Sequence, residues 1–258
     1  MIETEGGRIF DTHAHYGDPA FDADREALLT RLPEESVCGV IECGCDRASS
    51  ESALALAHRF GFVYAAVGLH PENTAEGYDE TWIRRLAADE RCVAIGEIGL
   101  DYHWSPPNPT DREIFECQLA LAAELDKPVV IHDREAHGDA FDCVRAHRPR
   151  GVFHCYSGSR EEARQLLDMG FYLGFGGALT FRNARKAVEV VAYMPMDRLL
   201  LETDAPYMAP EPLRGQRCHS GMILHVARRV AEIKGLSLRE VLDATRRNAH
   251  TLFSLPTC

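Results

Sequence analysis

Long hydrophobic runs are missing from this sequence. None approaches the roughly 18 uninterrupted apolar residues of a membrane span, and the first apolar run is reached within a few residues, with no basic flank of the kind that opens a secretion signal. A soluble, cytoplasmic protein with no membrane attachment is expected. Positive charge is also scarce: 28 Lys and Arg against 40 Asp and Glu leave a formal net charge of −12, which disfavours nonspecific attraction to a polyphosphate. A phosphate-bearing substrate would need local cations or bound metal to hold it, whereas a neutral or cationic small substrate would need neither. The nine cysteines are odd in number and scattered, and Cys38, Cys92 and Cys143 sit in apolar surroundings, as reduced buried thiols do. Cys43 and Cys45 form the only close pair. They lack a matching second pair, so packing beside a strand end is expected rather than a zinc knuckle. No glycine-rich phosphate fingerprint follows the first apolar run, and no repeat, low-complexity tract or linker divides the chain.

What is present is enough for a substantial core: 258 residues, 45% hydrophobic and 26% charged, read as one domain over residues 1–258. Eight short β-rich runs are predicted at residues 7–10, 38–43, 62–69, 92–99, 128–132, 151–155, 171–175 and 199–203. Amphipathic stretches lie between them. One runs from Thr110 to Leu125, with Thr110 and Glu113 in capping-box spacing; the last is announced by Ser237 and Glu240 in the same spacing. Strands apolar enough to be covered on both sides, alternating with helices, point to an α/β protein of (β/α)8 barrel type, with a doubly wound open sheet as the rival. The missing fingerprint and linker favour the barrel. Two proline-rich loops, "SPPNPT" (105–110) and "MAPEPLRGQR" (208–217), follow strands, where barrel enzymes carry their active-site loops.

Groups able to bind metal recur at one structural place. In "FDTHAH", His13 and His15 are two residues apart, so in an extended segment their Cα atoms lie about 6 to 7 Å apart on one face. Both follow the first strand, Glu97 lies at the end of the fourth, His132 ends the fifth, His154 the sixth, and Asp204 follows the eighth. Glu97 sits in the apolar "AIGEIGLDY", where an unpaired carboxylate would be costly and a cation resolves the cost. Four imidazoles and two carboxylates exceed the needs of one tetrahedral ion and divide between two divalent ions, one held by His13, His15, Glu97 and Asp204, the other by Glu97, His132 and His154. His58, His147 and His225 lie in helical stretches away from the rim and are read as structural.

The blocks "FDTHAH" (10–15), "VGLHPE" (67–72), "AIGEIGLDYHW" (94–104), "FECQLALAAELDKPVVIHDREA" (115–136), "GVFHCYSGS" (151–159), "LLLETDAPYMAPEPLRGQR" (199–217) and "NAHTLF" (248–253) make the chain similar, along nearly its whole length, to the TatD family of metal-dependent hydrolases. The resemblance implies a (β/α)8 barrel with a two-metal site, Mg or Mn supporting nuclease activity, and deoxyribonuclease action as a 3′ to 5′ exonuclease or an endonuclease. The family's ligand positions fall on His13, His15, Glu97, His132, His154 and Asp204, an additional site histidine on His70 and an extra acidic residue on Glu202. One block departs: "RGQRCHSG" carries Cys218, His219, Ser220 and Gly221 where the family continues into Asn, an acidic residue and Pro. That loop is expected to overhang the rim and to bear on substrate choice.

Two divalent ions activate water and clamp a phosphodiester without covalent catalysis. Asp204 is assigned the roles of ligand and general base, and Glu97 that of bridging ligand. His70, Arg134, Glu202 and Arg214 are the candidate substrate contacts, with Arg217 a weaker one; Tyr102, His103 and Trp104 could stack bases. DNA or another phosphodiester is the expected partner, with no obligate protein partner. The alternatives are hydrolysis of a carboxylic ester or amide, including deacylation of D-aminoacyl-tRNA, and a noncatalytic scaffold that keeps metal for structure. Histidine-rich ligation suits Zn and Mn, and the family resemblance points to Mg.

Overall fold

The period-two alternation of a strand places every second side chain on one face. In the computed structural model, which describes residues 6–104 and 106–256, that alternation has a visible product. Phe10, Ile41, Ala66, Ala94, Val130, Val152, Tyr172 and Leu200, one from each of eight strands, pack into a single apolar cluster, closed from below by Leu252 and Phe253. The strands are β1 (Ile9–Ala14), β2 (Val37–Cys43), β3 (Val63–Val67), β4 (Cys92–Asp101), β5 (Val129–Arg134), β6 (Gly151–Phe153), β7 (Tyr172–Phe175) and β8 (Leu199–Leu201). All pair in parallel in sequence order. Bonds between β1 and the residues after β8 bring the edges together: Ala14 bridges Ala205, His15 N donates to Ala205 O (2.8 Å), and Asp204 N donates to His13 O (3.0 Å). The result is a nearly closed (β/α)8 barrel.

Helices α1 (Arg25–Arg31), α2 (Arg47–Arg59), α3 (Glu80–Ala87), α4 (Pro109–Glu124), α5 (His137–His147), α6 (Arg160–Asp168), α7 (Arg185–Tyr193) and α8 (Ile223–Lys234) cover the outside. Their buried faces share a second, larger cluster with the outward side chains of the strands, such as Ile9, Val40, Ile95, Ile131 and Leu199. The last helix, α9 (Leu238–Leu252), opens with the expected capping box of Ser237 and Glu240. The box expected at α4 does not form. Asn108 caps the helix through its side chain, which accepts from Thr110 N, and Pro109 takes the first helical position, so Thr110 lies two residues too far inside. None of the described helices is long and apolar enough to cross a membrane.

The strand limits differ from the sequence expectation most at β1. Its pairing continues past the apolar run through Asp11, Thr12 and His13, all buried, because their polar groups are satisfied within the barrel. Strands β1 and β4 also each carry one extra residue against a neighbour: Asp11 to Ala14 faces Val40 to Glu42, and Ile95 to Ile98 faces Val129 to Ile131. Such bulges re-aim side chains, and they lie beside His13 and Glu97. Next to them Gly99, at φ +147°, lets β4 approach β5 closely; a Cβ there would fall 1.9 Å from the His132 carbonyl oxygen. Within the proline-rich loop 105–110, Ser105 lies outside the described residues.

Candidate metal centre

Above the apolar ring the next inward layer is polar. His132 and His154 stand two residues beyond Val130 and Val152, and Cys43 and Glu202 two beyond Ile41 and Leu200. His13 and Glu97 stand three beyond Phe10 and Ala94, across the two bulges. Glu97 is the hub. Its Oε2 lies 3.3 Å from His13 Nε2 and 3.5 Å from His15 Nε2. Its Oε1 lies 2.9 Å from both His132 Nδ1 and His154 Nε2. Asp204, in a left-handed conformation (φ 58°), brings Oδ1 to 3.5 Å from His15 Nε2 and 3.8 Å from His13 Nε2.

The hydrogen bonds around the cluster decide which ring nitrogens face inward with a lone pair. His15 Nδ1 meets the Cys43 carbonyl oxygen (2.9 Å), which can only accept, so Nδ1 carries the proton and Nε2 is free. His132 Nε2 donates to the Asp101 carboxylate (2.9 Å), so Nδ1 is free. His154 Nδ1 is buried 3.7 Å from Glu202 Oε1, leaving Nε2 toward Glu97. Bare nitrogens and carboxylate oxygens thus converge, with His13 Nε2 and His15 Nε2 only 3.0 Å apart. Acceptors crowded this way repel unless protons or a cation lie between them, and neutral imidazoles with carboxylates are the donors that divalent metals take. The residues fit a metal group. The structure gathers His13, His15 and Glu97, then His13, His154 and Asp204, and also His70, Glu97 and His132 into sets whose donor atoms could share an ion.

His70 is close enough to join them, 3.4 Å from Glu97 Oε1, but its tautomer is opposite. Glu72 N donates to His70 Nδ1 (3.2 Å), so the proton of the neutral ring sits on Nε2 and points at Glu97. His70 is a hydrogen-bond donor here rather than an open ligand.

The electrostatics follow from the same contacts. Burial alone would raise the Glu97 carboxyl, but His154, His13 and His70 hold it well below the usual carboxylate range. Asp204 is lowered too, its burial outweighed by the hydrogen bond with His15 and by His13 and His154. Burial disfavours charge on His154, yet Glu97 and Glu202 push its ring well above the ordinary imidazole value. Burial and the neighbouring His154 lower His13. Asp101, despite its burial, is drawn down to about 2 by the hydrogen bonds from His132 and His103 N. Below the mouth, burial lifts Asp11 and Glu42 to about 7. Asp11 accepts from Thr203 and Ser220 hydroxyls (2.7 Å each), and Glu42 from Tyr16 N and Gly17 N (2.7 Å each).

Several sequence candidates fall elsewhere than expected. Glu202, a candidate substrate contact, is buried beneath His154 and accepts from Cys155 N at 2.5 Å, because inward alternation on β8 places it inside the barrel. Arg217 is occupied by a two-bond pair with Asp24 (2.6 and 2.7 Å). The "CHSG" departure does not overhang the rim: Cys218 and Ser220 are buried, Ser220 bonded to Asp11 and Tyr16. Arg134 and Arg214 are exposed, over the rings of Trp104 (5.3 Å) and Phe181 (4.3 Å). Tyr102 and His103 are tied to Asp139 and Glu135, whereas Trp104 remains 67% exposed. Sequence reasoning missed Asp11 and Asp101, which lie just past the predicted apolar runs 7–10 and 92–99 and look like turn formers, and Glu42, which lies inside the run 38–43. It also missed that Cys43 and Cys45 border the cluster, Cys43 Sγ 3.5 Å from His13 Nδ1 and Cys45 Sγ 3.8 Å from Glu97 Oε2. Cys43, Cys45, Cys92, Cys117, Cys143, Cys155 and Cys218 are free thiols.

Comparison with known proteins adds four findings. Residues 10–254 match the model of the TatD related DNase family. The chain is 41% identical over 253 residues, covering 96% of itself and 99% of the relative, to a protein of Bacillus subtilis strain 168 named an uncharacterized metal-dependent hydrolase, YabD. It is 34% identical to the 3′-5′ ssDNA/RNA exonuclease TatD of Erwinia tasmaniensis, over 96% of this chain and all of that one. Among solved structures, the TatD homologue YJJV of Escherichia coli K12 superposes with a TM-score of 0.87 at 31% identity, covering 96% and 99% of the two chains.

Proposed function

The chain belongs to the TatD related DNase family, and on that premise we propose that it is a divalent-metal-dependent phosphodiesterase acting on single-stranded or terminal DNA. What carries the reading is the convergence of lone pairs from His13, His15, His132 and His154 on the two oxygens of one buried carboxylate, Glu97. One ion is assigned to His13, His15, Glu97 and Asp204 and a second to Glu97, His132 and His154. Ions bound there would lower the pKa of a water and offset the negative charge on the oxygens of a phosphodiester.

The side chains supply the rest. Asp204 is held ionised by its histidine neighbours and lies at the open side of the cluster, so it accepts the proton of the attacking water. Glu97 ties the two halves together. Asp101 and Glu202 orient His132 and His154 from behind. His70 directs its Nε2 proton at Glu97 and at any oxygen that enters beside it. Arg134 and Arg214 supply positive charge at the mouth, and exposed Trp104 offers a stacking face.

The test is a panel of single-stranded DNA, duplex DNA, RNA, D-aminoacyl-tRNA and simple esters, each with Mg, Mn and Zn. Single-stranded DNA should be cleaved, and Asp204→Asn should lose about 100-fold or more of that activity while keeping its fold. Turnover confined to carbonyl substrates would contradict the phosphodiesterase reading.

A further inference from the structure

Beside the metal cluster, between the loops that follow β6, β7 and β8, lies a cavity of about 420 Å³, within the usual range for small-molecule sites. It adjoins the centre: its wall includes Cys155, next in sequence to His154, and Gly174, whose absent side chain would meet Glu202 and the His154 backbone. The wall is mostly apolar. Phe175, Leu179, Phe181 and Met208 supply large surfaces, while Gly174, Gly176, Ala178 and Ala184 supply none that would fill it. Gly174 has no room for a side chain, since a Cβ would fall on the Glu202 carboxylate, so the strand that forms this wall packs directly on the residue that backs His154.

The rim has the opposite character. Arg185 and Lys186 line the cavity, and Arg214 lies 4.3 Å over the Phe181 ring. Among the described residues these three cations make no ion pair, whereas Arg84 and Arg217, for example, are tied to carboxylates at 2.6 Å. Unpaired cations around an apolar slot, in a chain of net charge −12, select a ligand that is flat and apolar at one end and anionic at the other.

We propose that this cavity is the nucleoside subsite of the enzyme, taking the base of the nucleotide whose phosphate lies at the metal centre, with that base against Phe181 and the phosphates beside it drawn by Arg185, Lys186 and Arg214. The proposal rests on the phosphodiesterase reading and adds to it where the base is seated. Because every base has an apolar face, the subsite is tolerant of sequence.

Binding decides it. With Mn present, calorimetry compares dAMP and TMP with 2-deoxyribose 5-phosphate, in the full chain and in Phe181→Ala and Ala178→Leu. The native chain should prefer the nucleotides by about tenfold or more, the range of base stacking on an aromatic ring. Each variant, one removing the ring and the other filling the slot, should lose most of that preference. No preference in the native chain, or a preference kept by both variants, overturns the subsite. Tighter binding of an amino acid hydroxamate than of either nucleotide also overturns it, by placing an acyl side chain in the cavity. The parent reading is tested apart from this, by hydrolysis in the native chain of an oligonucleotide ending in a baseless tetrahydrofuran nucleotide. Cleavage there without nucleotide preference removes the subsite alone, and the absence of cleavage of any oligonucleotide removes the phosphodiesterase.

Discussion

His15 and His70 carry the same ring within one cluster, and a single hydrogen bond sets them to opposite uses. A carbonyl at Nδ1 leaves His15 an open Nε2, and a backbone N–H at Nδ1 leaves His70 a donating one. The same logic makes Asp101 a test of the centre, because its carboxylate fixes the His132 tautomer. Asp101→Asn should weaken divalent metal binding by about 10- to 100-fold, read by competition with a chelating dye; unchanged affinity would mean that His132 needs no such partner. Protons and metal compete for the same nitrogens. His154 in the metal-free chain is raised above the ordinary imidazole value, so its contribution to stability is full below that ordinary value, about 6.5, and is lost as pH rises through the raised one. The metal-bound chain has no such loss, since its ligands are already deprotonated. The increase in Tm on adding Mn should therefore widen from pH 5 to pH 8.5. A gap that is constant or narrows on that rise would contradict this assignment of the histidines.

At the scale of elements, legibility in the sequence follows the regularity of each strand. His132 and His154 keep the alternation of β5 and β6, so reading inward positions from Val130 and Val152 finds them. His13 and Glu97 break it, because β1 and β4 are bulged where these residues turn inward. Glu97 was legible for another reason, the isolation of a carboxylate in an apolar run, and His13 through its pairing with His15. The bulges themselves leave no mark in composition. Asp11 and Asp101 were not legible, since an acidic residue just past an apolar run has the same local signature whether it starts a turn or is buried in a hydrogen-bond network; Glu42, inside the run 38–43, carried the same signal as Glu97 and was overlooked. Helix-to-strand ties were equally hidden. Buried Gln118 on α4 accepts from Leu69 N (2.8 Å) and donates to Leu69 O (3.0 Å), holding the end of β3 just before His70. Gln118→Leu leaves both backbone groups without partners and should cost about 3 kcal/mol in urea denaturation; a cost under about 1 kcal/mol would show that water or a shift of the loop replaces the tie.

For the molecule as a whole, an apolar layer at the lower end of the barrel lies under a polar one at the carboxyl end, where barrel enzymes place their chemistry. The overall architecture was legible because apolar runs of strand length alternate with helical periods throughout. In a chain of net charge −12, the cluster of imidazoles, with the cavity-lining Arg185 and Lys186 and with Arg214 nearby, is suited to an anionic substrate. Everything functional in this account depends on two cations sharing Glu97. The direct measurement is anomalous diffraction from crystals grown with Mn or Zn, collected on both sides of the metal edge. Two peaks per chain are expected, one among His13, His15, Glu97 and Asp204 and the other among Glu97, His132 and His154. A single peak, or none within reach of Glu97, would contradict it.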